Sequence, residues 1–211
     1  MIFTPENEPY LGRQSLFAFD NLIVTCLEVN SKVAPKTHHI QLNEIQSSAL
    51  QIIPSGISLS LSIRELVRQG YLYGALVLDR PLAERAIILE YLCRFPDKVE
   101  IWKRGWKHRE RPNLATMIEA IGGGDYKGCG GNITGPMNSL THGDPASSLW
   151  NLVVTDAGES VHPVSKILNR PELCDQISMS ASTWLSILMT RMLELFLGES
   201  QVISSNTESI H

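Results

Sequence analysis

The sequence predicts a mainly α-helical bundle with one small added β-hairpin. Apolar residues recur at helical spacing along most of the chain. A single compact β-branched stretch, "LWNLVVT", interrupts that rhythm just before the turn residues "DAGES". No apolar run reaches the ~20 residues that a membrane span needs.

The elements follow in order. Residues 1–12 read as an N-terminal arm, with Pro5 and Pro9 favouring extended chain. Residues 14–33 carry Leu16, Phe19, Ile23 and Leu27 at helical spacing, and Pro35 is the expected stop. Residues 41–53 predict a weaker helix ended by Pro54. Residues 55–78 predict a long central helix in which Gly70 and Gly74 share a face, a sign of close approach by another helix backbone. Residues 79–95 predict a buried helix with Pro81 in its first turn. A basic helix over 97–107 and a short helix over 112–121 follow. Then comes a loop with six glycines in eleven residues, "GGGDYKGCGGN".

Residues 149–155 and 161–167 predict the hairpin, with Pro163 confining the second strand to an edge. Residues 171–198 predict a final long helix stopped by Gly198, and the Ser-rich residues 199–211 a mobile tail. At 211 residues, 43% of them apolar, the chain suits a single helical domain over 1–211 with a sizeable core.

Composition narrows the function classes. The N-terminus "MIFTPENEPY" has no basic region of the kind that opens a signal peptide. The four cysteines show no C-x-x-C spacing, so a zinc knuckle is not expected, and the reading is a reduced, cytoplasmic protein. His38-His39 lies between weak helices with no matching acid or cysteine nearby, so it is not read as a metal site, and no cofactor is expected. Net charge is −4 but uneven. Residues 98–111 hold six Lys/Arg against two Glu, about +4 locally, together with Trp102 and Trp106. Lys103, Arg104, Lys107 and Trp106 are therefore candidate nucleic-acid contacts, the bases gripping phosphate and the indole stacking on a base. The same pattern also describes a surface helix whose tryptophans face the core.

Two short stretches carry the candidate chemistry. In "DRPLAER", Arg80 and Glu84 are four apart on one helix face. Either they satisfy each other as an ion pair, or each meets a polar group from elsewhere. In "NSLTHGDP", His142 lies near a helix end with Asn138, Ser139, Thr141 and Asp144 as local partners. A histidine there is either a structural cap or a general acid or base at neutral pH. The glycine loop is no phosphate loop, since Lys127 is followed by Gly128 and Cys129 and no strand precedes it.

"SIRELVRQGYLYGALVLDRPLAERAIILEYL" followed by "NSLTHGDP" looks like a group of bacterial helical proteins that resembles the HEPN superfamily (higher eukaryotes and prokaryotes nucleotide-binding). The resemblance spans residues 58–145. It implies a HEPN-like helical bundle in which Arg80 and Glu84 match the helix pair, and Ser139 and His142 the later element. It further implies an RNA-acting or nucleotide-binding protein of a prokaryotic stress, toxin or phage-defence system. Many such proteins are metal-independent ribonucleases that place an Arg-x4-6-His signature at a homodimer interface. There the arginine holds the scissile phosphate and the histidine assists attack by the ribose 2′-hydroxyl. In this chain the residues four to seven before His142 are Asn138, Met137, Pro136 and Gly135, none of them arginine. Either Arg80 supplies the cation from the other helix, or the nuclease chemistry is absent. In the latter case the chain is a non-catalytic helical module that binds a protein partner or a small ligand.

Overall fold

A computed structural model describes residues 8–38, 40–107, 110–123, 127–142, 145, 147–148, 152–155, 157–162 and 166–198, with the backbone alone at residue 142. Seven α-helices, a 3-10 turn and one two-stranded hairpin account for the regular structure among them. They are α1 (Gln14–Thr37), α2 (Glu44–Arg68), α3 (Leu72–Arg94), α4 (Val99–Lys103), α5 (Leu114–Gly122), α6 (Cys129–His142), β1 (Val153–Val154), β2 (Ser160–Val161) and α7 (Pro171–Leu197). The mainly α-helical bundle with a small hairpin is thus the architecture found.

Helices α1, α2, α3 and α7 supply most of the core, and α5 and α6 form a pair packed on α3. Polar bridges reveal the directions. Ser180 bonds Asp79 and Arg191 bonds Glu90, so α3 and α7 advance in step and run parallel. Gln46 reaches the Leu195 carbonyl, while a Cβ on Gly56 would overlap the Leu188 side chain. Hence α2 runs antiparallel to α7, with its backbone pressed close. Two parallel neighbours so far apart in sequence need a long return crossing, and the segment between α3 and α7 makes it, carrying α4, α5, α6 and the hairpin.

Several predicted boundaries are corrected. Pro54 and Pro81 lie inside α2 and α3. An internal proline costs a helix about 3 kcal/mol. At Pro54 the buried residues on either side, Ile52, Ile53 and Ile57, offset that cost by removing apolar surface from water. The true break between α2 and α3 is at Gly70, whose φ of 83° is left-handed. Gly70 N–H donates to the Val67 carbonyl at 3.0 Å and Tyr71 N–H to the Leu66 carbonyl at 2.8 Å, the Schellman pattern of a helix C-terminus. Gly70 and Gly74 therefore do not share a helix face. Among the described residues, a Cβ built on Gly74 meets within 4 Å only the Leu66 side chain of α2, at 3.5 Å, so no helix backbone closes on it there.

Pro35 lies in the last turn of α1, which runs two residues past it. The basic segment is not one helix over 97–107. A 3-10 turn at Pro96–Lys98 leads into α4, which stops at Lys103, and the chain turns at Gly105 with φ 77°. The end of the glycine-rich loop is helical, because α6 starts at Cys129. The hairpin pairs Val153 with Val161 and Val154 with Ser160. Leu149, Pro163 and the 199–211 segment lie outside the described residues.

The N-terminal arm contains an anchor. Tyr10 is 2% exposed; its hydroxyl donates to the Ile167 carbonyl at 2.5 Å and accepts from the Arg170 N–H at 3.3 Å. Burial raises its pKa above the ordinary tyrosine value. Nearby, Glu8 pairs with Arg68, and Arg13 with Asp175. Tyr10→Phe strands the polar groups that the hydroxyl joins. It is expected to cost about 1–2 kcal/mol in urea unfolding, and an unchanged unfolding midpoint would contradict the anchor.

Candidate functional site

The "DRPLAER" residues sit mid-way along α3 and diverge around it. Asp79 faces α7, whereas Arg80 and Glu84 face the α5–α6 side. Arg80 and Glu84 do not satisfy each other. Arg80 Nη1 donates to Asn138 Oδ1 and to Thr141 Oγ1, the latter at 3.2 Å, both on α6. Glu84 forms an ion pair with Arg111, which stands just ahead of α5. Two side chains from one helix face thereby tie down two different segments, and a cleft of about 690 Å3 opens between them.

Local structure explains the walls. Asn113 caps α5, accepting from the Thr116 N–H at 2.8 Å, so the first turn of α5 is fixed where the chain leaves Arg111. Leu114 and Ala115 of that turn line the cleft. Across it run Gly131, Thr134, Gly135 and Asn138 of α6. Helix α6 lies close to α5 because Gly130 has no side chain: a Cβ there would come within 2.7 Å of Ala115 Cα and 2.8 Å of its carbonyl carbon. Gly131 and Gly135 have nothing within 4 Å of a built Cβ, so their lack of a side chain leaves room in the cleft.

The electrostatics are asymmetric. Two guanidiniums and one carboxylate line the cleft, a net charge of one positive unit. Arg111 is neutralised by Glu84. Arg80 is held by an amide and a hydroxyl oxygen, and among the described residues it meets no carboxylate. A helix start also favours negative charge through its free N–H groups.

The remaining expected site residues are placed differently. Ser139 is half-buried beside Asn138 and does not line the cleft. The backbone of His142 ends α6 one residue beyond Thr141, and its side chain lies outside the described residues. In the basic segment, Lys103 pairs with Glu44 and Arg104 with Glu110 at 3.1 Å. The Lys107 backbone N–H donates to Glu110 at 3.3 Å. Trp102 and Trp106 pack on the core, and the Arg111 guanidinium lies 5.8 Å from the Trp106 ring centre. Two of the three proposed cationic contacts thus already have carboxylate partners, and Trp106 belongs to a second, adjoining cleft.

Sequence reading missed Arg111 as a site residue. It appeared there only as one charge in a basic run. The Asn-capped start of α5 was the available signal, since a cap fixes where the preceding residue stands. Asn138 and Thr141, the local partners expected for His142, both accept from Arg80. Asp79 went unremarked although it is 3% exposed. Ser180 Oγ donates to its Oδ2 at 2.6 Å, and the Trp184 indole lies close enough to favour the charged form. Oδ1 and Trp184 Nε1 complete no hydrogen bond of normal geometry. Burial dominates and pushes the Asp79 pKa up to about 6.

The thiols of Cys26, Cys93 and Cys174 are likewise pushed up by burial, to about 11, which leaves them protonated and weakly nucleophilic. No group of three or more metal-ligating side chains occurs among the described residues, and no helix there is long and apolar enough to cross a membrane. Comparison with protein-family models, with curated proteins and with solved structures finds no match for the chain.

Proposed function

We propose that the chain binds a phosphate group, of a nucleotide or of RNA, in the cleft between α3, α5 and α6. The observation that carries this reading is Arg80, a guanidinium set in a polar cleft and held only by neutral oxygens among the described residues. A neutral partner orients the fork without cancelling its charge. An arriving phosphate can then gain a charge-assisted, bidentate contact. Arg111 adds a second guanidinium that a phosphate can share with Glu84, and the start of α5 adds N–H donors. The HEPN resemblance points to the same ligand chemistry from the sequence side, with Arg80 as the phosphate-holding residue.

The site is read as a binding site. A nuclease step needs a base or acid within hydrogen-bond reach of the ribose hydroxyl. The described cleft walls offer Glu84, which Arg111 occupies.

Arg80→Ala tests the reading. Inorganic phosphate and a short oligoribonucleotide are titrated calorimetrically into the intact chain at low salt. The variant is expected to lose about tenfold or more in affinity for both, the value of one charge-assisted contact, while its melting temperature stays within a few degrees. Equal affinity in wild type and variant would remove Arg80 from the site. Binding that depends on Lys103 and Lys107 instead would return the basic segment as the contact surface.

A further inference from the structure

The Glu84–Arg111 ion pair has a cleft on each side. The second, of about 390 Å3, lies between α2, α3 and the segment after α4, and it shares Glu84 and Arg111 with the first. Its walls differ in kind. Trp102 and Trp106 line it together with Ile52 and Ile88, and Gln51 and Arg85 add polar groups. Arg85 repeats the condition of Arg80: its Nε donates to Ser55 Oγ at 2.9 Å, and among the described residues it meets no carboxylate. Two clefts, one cationic and one aromatic, are therefore joined through a single surface ion pair. One member of that pair, Arg111, is almost half exposed and also lies over the Trp106 ring.

We propose that the second cleft takes the base of the ligand whose phosphate binds in the first, so that the joined site recognises one nucleoside phosphate unit. This rests on the phosphate reading of the first cleft. Indoles offer flat apolar faces to a planar heterocycle, and such stacking tolerates any base. Gln51 donates and accepts, and the Arg85 fork donates to ring nitrogens and carbonyls. A purely apolar aromatic ligand would make no use of Gln51 or of the Arg85 nitrogens that Ser55 does not engage. Each cleft lies within the ~300–1,000 Å3 usual for small-molecule sites. Arg111 stands where phosphate and base would meet and can turn from Glu84 to the ligand without leaving the shared wall. The unit is either a free nucleotide or one residue of an RNA strand, both with the same chemistry.

The test titrates the intact chain with inorganic phosphate, adenosine, adenosine 5′-monophosphate and a short oligoadenylate. Wild type is expected to bind the monophosphate about tenfold or more tightly than inorganic phosphate, the range that one stacked base contributes. Trp106→Leu and Arg85→Gln are each expected to abolish that advantage while leaving phosphate affinity unchanged. The second variant guards against loss of packing in the first, and melting curves check both. Equal affinity for phosphate and monophosphate overturns the base subsite and leaves the phosphate reading standing. Binding of adenosine without any of phosphate overturns the phosphate reading and keeps an aromatic subsite. Binding of neither overturns both. Where the inference holds, an oligoadenylate that binds more tightly than the monophosphate, with steep salt dependence, identifies RNA as the source, and equal binding identifies the free nucleotide.

Discussion

Asp79→Asn is expected to stabilise the folded chain at pH 8 by as much as about 3 kcal/mol and to leave it nearly unchanged at pH 4. Burial against α7 raises the Asp79 pKa from an unfolded value of 3.8 to about 6. Between those values the folded chain keeps a proton that the unfolded chain has released. Stability contributed by this group is therefore full below about pH 4 and falls as pH rises through 6. Above that the folded state holds a charge with only Ser180 bonded to it and one oxygen unpartnered. A difference of roughly two pKa units corresponds to about 3 kcal/mol. Asparagine keeps the shape and cannot ionise. Urea unfolding of both proteins at pH 4 and pH 8 measures the effect. A difference of equal size at both pH values would mean that packing, and not charge, sets it. The carboxylates of Glu8 and Asp175 are held low by Arg68 and Arg13 and pull the other way in acid, so the comparison is made between variant and wild type at each pH.

Gly130→Ala is expected to destabilise the chain by about 1–3 kcal/mol, the usual cost of forcing atoms into a packed contact, and to weaken ligand binding at the cleft. The atoms a methyl group would meet are the Ala115 backbone itself, which cannot rotate aside as a side chain can. Helix α6 must then withdraw from α5. Asn138 and Thr141, which hold Arg80, move with it. Gly131→Ala is the control for stability. Its Cβ meets nothing within 4 Å, and replacing a helical glycine by alanine gains up to about 1 kcal/mol. If both variants melt alike, the close approach of α5 and α6 is not what limits this region.

These residues also mark where sequence reading stopped. Helix α7 was legible to the residue: its apolar spacing is regular, Pro171 opens it and Gly198 closes it in a left-handed conformation at φ 67°. The apolar stripe of α3 was legible for the same reason, since periodicity acts over one or two turns; the Asn113 cap of α5 was not read, and the helix was expected to open at 112. Arg80 and Glu84 were legible as a pair of charges on a buried helix that needed partners, and both of them line the cleft.

Tertiary structure alone decided which prolines break helices and which charges meet. By local rules Pro54 and Pro81 end or open helices. Neither does, because buried apolar residues flank each of them, Ile52, Ile53 and Ile57 at Pro54 and Ala75, Leu82 and Ala83 at Pro81, and that burial outweighs the lost backbone bond. Gly70 is the break because its φ is left-handed, a backbone state that its composition allows and does not reveal. Arg80 binds a side chain 58 residues away, and Glu84 takes an arginine that looked like part of a solvated basic run. Such partners are chosen by how α5 and α6 pack across α3, through contacts such as Gly130 on Ala115 that have no signature in local spacing. The sequence by itself determined the apolar stripes of α1, α3 and α7 and the charges that needed company; the packing of one helix pair on α3 determined which company they keep and that a cleft lies between them.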